Sequence, residues 1–179
     1  MISTTPRLLA VLVVTLALAG ACGDKTHHRG WTGPFDVAAA EALVAKCLPG
    51  AKAQSTDAHR ARVWRLADPG PEGWPTFRIT YDFHWKDDAL ADLANVVISV
   101  TGRHEEQTPD NSARFRAALT CGFAGLPLPP KVGTKALDLL AALGPDGESH
   151  GKRDGFDLIA RTGRLSSTSF HSGVHIFGE

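Results

Sequence analysis

Charge of neither sign is in surplus: the 179 residues include 19 Lys plus Arg and 19 Asp plus Glu, a formal net charge of zero at pH 7. Nucleic-acid binding relies on clustered cations and counterion release, so this balance argues against nucleic acid as a partner. Cysteine is scarce, with Cys22, Cys47 and Cys121 far from one another, and a zinc site built on neighbouring cysteines has no support. Glycine-rich phosphate loops of the standard types are absent, as is a Gly-x-Ser-x-Gly nucleophile elbow. A long apolar run occurs once, at residues 8–21.

That run follows Arg7 and carries no charged side chain. It has the layout of an export signal, and it falls short of the roughly 20 apolar residues that a membrane span needs. Cleavage is the expected fate. The residues that end it, Leu18-Ala19-Gly20-Ala21-Cys22, resemble the lipobox of bacterial lipoproteins, with the leucine one step further from the cysteine than in the common form. The resemblance covers about 22 residues and is silent on the domain that follows. It implies a signal peptide over residues 1–21, a diacylglyceryl group on the Cys22 sulfur, and acyl chains such as palmitate that hold the protein to a cell membrane or outer membrane on its extracytoplasmic side. Each buried methylene contributes about 0.8 kcal/mol, so two or more chains suffice for stable attachment.

Without residues 1–21 the chain loses one cation, Arg7, leaving 18 Lys plus Arg against 19 Asp plus Glu. About 158 residues remain, enough for one domain with a sizeable core. Cys47 and Cys121 are then the only cysteines left. In an oxidising compartment such a pair reads first as a disulfide, with free buried thiols as the alternative.

Residues 22–34 have three glycines, a proline and no apolar periodicity, and read as a flexible tether. His27 and His28 read as solvated there. Residues 35–179 read as a single globular domain. Asp36 caps a helix that ends at Pro49-Gly50, and Val37, Ala40, Val44 and Cys47 share its apolar face. Residues 60–66 and 74–85 read as strands; in the second, Phe77, Ile79, Tyr81, Phe83 and Trp85 alternate with polar residues. A short helix is expected over residues 87–94 and a buried strand over 95–103. Thr108-Pro109 starts a further helix that Gly122 is expected to end, and a last helix is expected over about residues 135–143. A glycine-rich loop over 144–155 precedes three short strands, 156–161, 165–170 and 174–177. The fold class is thus α+β: an antiparallel or mixed sheet of about five or six strands, with three or four helices packed on one face.

Constellations that carry chemistry are weak. Ser149-His150 and His171-Ser172 supply residue types of a hydrolytic triad without its local signature. His171 and His175 stand four apart in a turn-plus-strand region, where that spacing need not bring them together as it would on a helix. Asp146, Glu148 and Asp154 do not follow the alternation of a calcium loop. No catalytic residue, metal ligand or cofactor is therefore assigned. The leading expectation is a membrane-tethered module that binds an envelope protein or a small ligand, with Trp31 and Trp74 as candidate contacts. The alternatives are a small envelope enzyme in which His171, His175 and Asp157 converge, and a structural or assembly lipoprotein.

Overall fold

Alternation of apolar and polar side chains organises the molecule around one sheet. The computed structural model describes residues 30–56, 58–70 and 75–178; the expected export signal, Cys22, His27, His28 and Trp74 lie outside them. Among the described residues the strands are β1 (Lys52–Gln54), β2 (Ala61–Asp68), β3 (Phe77–Trp85), β4 (Leu93–Arg103), β5 (Gly147–Arg153), β6 (Phe156–Arg164) and β7 (Ser169–Gly178). All neighbours are antiparallel, in the order β1-β2-β3-β4-β7-β6-β5. The helices are α1 (Val37–Cys47), α2 (Pro109–Gly125) and α3 (Pro130–Ala141), with one 3-10 turn at His104–Glu106. The architecture is α+β, but the sheet has seven strands where five or six were expected.

Two meanders meet in the middle of this sheet. β1 to β4 run sequentially inward from one edge and β5 to β7 run inward from the other, so β4 and β7 form the seam. The chain crosses from β4 to the far edge strand β5 through α2 and α3, which lie over one face. Under them, Tyr81, Phe83, Ile98, Val174, Ile176 and Leu158 are fully buried. Burying side chains of this size stabilises the fold by about 1.5–3 kcal/mol each.

Glycine sets how closely the helices approach. A Cβ on Gly122 would stand 2.7 Å from Ile98 Cδ1 and 2.9 Å from the Tyr81 hydroxyl. With no side chain there, α2 settles onto the sheet and the Tyr81 hydroxyl donates to the Ala118 carbonyl. Gly122 is therefore buried inside α2 and does not end it. Gly151 plays the same part at the far edge, where a Cβ would meet Leu139 Cδ1 of α3 at 2.8 Å.

Caps were legible in the sequence. Asp36 accepts from Ala39 N at 2.8 Å, Thr108 accepts from Asn111 N at 3.2 Å, and Pro109 takes the first helical position of α2. The Cys47 and Cys121 sulfurs are at bonding distance, with Cα atoms 5.5 Å apart, so the last residue of α1 is tied to the last turns of α2.

Several local expectations are corrected. Residues 86–92 form a turn rather than a helix, closed by Lys86 N donating to Asp92 O at 2.8 Å. α3 begins at Pro130, earlier than expected, because Pro129-Pro130 supplies its first turn instead of only a connector. The loop expected over 144–155 contains β5, joined to β6 by Asp154-Gly155. Both turn residues have positive φ, 50° and 82°, the geometry of a two-residue type I′ hairpin; this is the role of Asp154. The three short strands expected at the end are two long ones, with the turn at residues 165–168.

Candidate functional site

The helix-facing side of the sheet loses bulk in one row. Across strands β2, β3, β4, β7, β6 and β5 that row reads Leu66, Ile79, Val100, Ser172, Thr162 and Gly147. Large aliphatic groups give way to two hydroxyls and then to no side chain. Above this step, α2 and α3 touch at their hairpin end, where a Cβ on Gly133 would stand 2.9 Å from Phe123 Cβ. Away from that end a cleft of about 460 Å³ separates them.

The cleft floor is apolar on one side, with Phe77, Val100 and Phe170 of the sheet and Phe115 and Leu119 of α2, and polar on the other, with Thr162 and Ser172. A Cβ on Gly102 would stand 2.9 Å from Phe170 Cε1, so that glycine seats the Phe170 ring. Leu137 and Leu140 of α3 form the opposite wall. At the rim, Arg116 of α2 and Asp138 of α3 are exposed. A concave, largely apolar pocket with a few converging polar groups is the usual form of a small-molecule site.

One wall is stiffened by a polar network. Buried Asn111 donates through Nδ2 to the Glu106 carbonyl and carboxylate, both at 3.0 Å, and its Oδ1 accepts from Arg114 at 2.9 Å. Arg114 also grips Asp68 with two nitrogens, at 2.6 and 3.1 Å, and lies 5.2 Å over the Phe77 ring. The Arg114 hydrogen bond holds the Asp68 carboxyl below its ordinary range. These partners commit Arg114 to the wall, and they leave Arg116 as the cation at the cleft mouth.

The histidines expected to matter lie elsewhere. His171 and His175 project from β7 on the open face, the side of the sheet away from the helices. They stand four strand positions apart, about 13 Å, so they do not share a ligand. Both have lowered pKa values, chiefly through burial and secondly through the Arg161 charge. Asp157 pairs with Lys152 at 2.9 Å and stands opposite Phe177 of β7. The three residues do not converge. Glu148 receives His150 and Arg161 on the exposed edge. Among the described residues no three His, Cys, Asp or Glu side chains are placed to hold a metal ion.

Trp31 covers the core edge. Its ring meets Phe156 edge-on at 5.0 Å, and a Cβ on Gly178 would fall within its indole. Thr32 N donates to Pro127 O at 2.8 Å and Phe35 N to Ala91 O at 2.9 Å. Of the expected tether, residues 31 and 32 are therefore held against the domain. No described helix is long and apolar enough to cross a membrane.

Sequence reasoning missed the cleft because Thr162 and Ser172 sit in Thr-Gly-Arg and His-Ser-Gly segments that read as turns. Comparison with protein-family models, curated proteins and solved structures finds no match.

Proposed function

We propose that the chain is a membrane-tethered extracytoplasmic binding module, held by lipid on Cys22, that takes a small amphipathic ligand in the cleft between α2 and α3. The observation that carries the reading is the 460 Å³ cleft itself, with its aromatic floor, its Thr162 and Ser172 hydroxyls and its Arg116 and Asp138 rim. Its volume lies within the roughly 300–1,000 Å³ of ordinary ligand sites. The apolar floor supports binding by burial, and the hydroxyls and rim charges support orientation of a ligand with a polar end.

The test is native mass spectrometry of the protein purified from its own membrane, paired with a Ser172→Phe variant whose ring fills the floor. A ligand retained by the native protein and absent from a folded variant is the expected result. Equal retention by both would place the ligand elsewhere and refute the reading. Lipidation has its own measurement: intact-mass analysis should show an acylated N-terminus at Cys22, and an unmodified cysteine would refute the tether.

A further inference from the structure

On the open face of the sheet, three cations gather at one end, with Asp82 as the carboxylate diagonal to Arg65 on their far side. Lys52 of β1 stands directly opposite Arg65 of β2. Arg78 of β3 lies on the same face, diagonal to Arg65, because Arg65 faces Thr80 and Ala67 faces Arg78. Directly opposed side chains place their Cβ atoms about 5 Å apart and diagonal ones about 7–8 Å, and like charges in such positions repel. The three side chains line a depression of about 290 Å³ with Gln54 and Gly50.

Neither arginine is satisfied within the fold. The Nε atoms of Arg65 and Arg78 are buried and have no hydrogen-bond partner. A buried donor left unpaired carries its full desolvation cost, and both donors belong to residues that line one cationic depression. Neither nearby carboxylate pairs with these arginines: Asp82 lies 3.0 Å from His84 Nε2 with its Oδ1 buried and without a hydrogen-bond partner, and Asp68 pairs with Arg114 on the helix side. Burial and the neighbouring Arg65 charge both lower the Arg78 pKa, which agrees with a guanidinium short of counter-charge.

We propose that Lys52, Arg65 and Arg78 form a binding site for an oxyanion group, a phosphate or sulfate ester, on the open face and independent of the α2–α3 cleft. An oxyanion in the depression meets both guanidinium groups and the Lys52 ammonium at once, and its charge removes the repulsion among them. Guanidinium groups suit this task because they present planar, always-charged donors to tetrahedral oxyanions. The same chemistry is offered by a free phosphorylated solute and by an anionic lipid headgroup.

Two arms separate those sources, both using the full chain and an Arg65→Gln/Arg78→Gln variant. In the first, thermal unfolding and calorimetric titration with inorganic phosphate are run at constant ionic strength. Phosphate should raise the native melting temperature, and the double variant should bind it more weakly by at least about tenfold. Without phosphate the variant should melt no lower than the native protein, because it has lost the repulsion. In the second arm, flotation compares vesicles of phosphatidylcholine with vesicles of equimolar phosphatidylcholine and phosphatidylglycerol. A preference for the anionic vesicles that the double variant loses identifies the headgroup as the source; phosphate binding without that preference identifies a free solute. An Arg153→Gln variant, changed on the opposite edge strand, should match the native protein in both arms. The proposal is overturned if the native protein responds to neither probe, or if the double variant responds as the native protein does.

Discussion

Breaking the Cys47–Cys121 link should cost the helix layer several kcal/mol. The bond closes a loop with a sequence separation of 74 residues, and loop-closure entropy for that length corresponds to about 4 kcal/mol at 25 °C. For a domain of this size each kcal/mol moves the melting temperature by roughly 2–4 °C, so the loss should be about 10–15 °C. The cross-link also ties α1 to α2, and α2 is one wall of the cleft. A Cys47→Ala/Cys121→Ala variant should therefore melt early and hold the proposed cleft ligand less tightly, while the distant β5–β6 hairpin keeps its amide protection. The assay is calorimetric unfolding of the native, reduced and double-alanine proteins, with hydrogen exchange read residue by residue. The reduced native protein retains both sulfurs, so the difference between it and the alanine variant isolates packing from cross-linking. A reduced protein that melts within about 3 °C of the oxidised one would refute the entropic argument.

Gly122→Val should destabilise the domain by about 2 kcal/mol through overpacking against Ile98 and Tyr81; urea unfolding checks it, and an unchanged midpoint would contradict the close approach of α2. The lowered His171 and His175 pKa values mean that the unfolded chain binds protons more readily than the folded one. Stability should fall as pH drops through the ordinary histidine value of 6.5 and level out below the folded-state values. Replacing both by Gln should flatten that slope in melting-temperature measurements, and a slope of unchanged size would remove these histidines from the account.

What the sequence disclosed follows from how local each signal is. β3 was readable because its buried residues alternate without a break, and the starts of α1 and α2 because Asp36 and Thr108 cap through side chains a few residues away. The cysteine pair was readable by elimination once Cys22 was set aside as the anchor. β5 was not, because Gly-Glu-Ser-His-Gly-Lys-Arg has no apolar alternation; its inner positions are glycine and serine where α3 presses down. The breaks assigned to residues 162–164 and 171–173 failed for a related reason: their small polar residues face the cleft or the open side rather than a turn. A site assembled from such positions on β6 and β7, and from helices many residues away, has no pattern in any short window of sequence.

The seam between β4 and β7 also sets the order in which the molecule can be made. The β1–β4 meander and the β5–β6 hairpin can each pair as soon as they emerge, yet each has one strand edge waiting for β7. That strand is the last of the described strands and the one that joins the halves. Its pairing with β4 is non-local, so it is a slow step, and until it is taken the two edges stay open to other chains. Folding that follows the order of the chain would leave two half-sheets until β7 pairs. Damage to residues 169–178 would strand the chain at that stage rather than fray one margin of a finished protein.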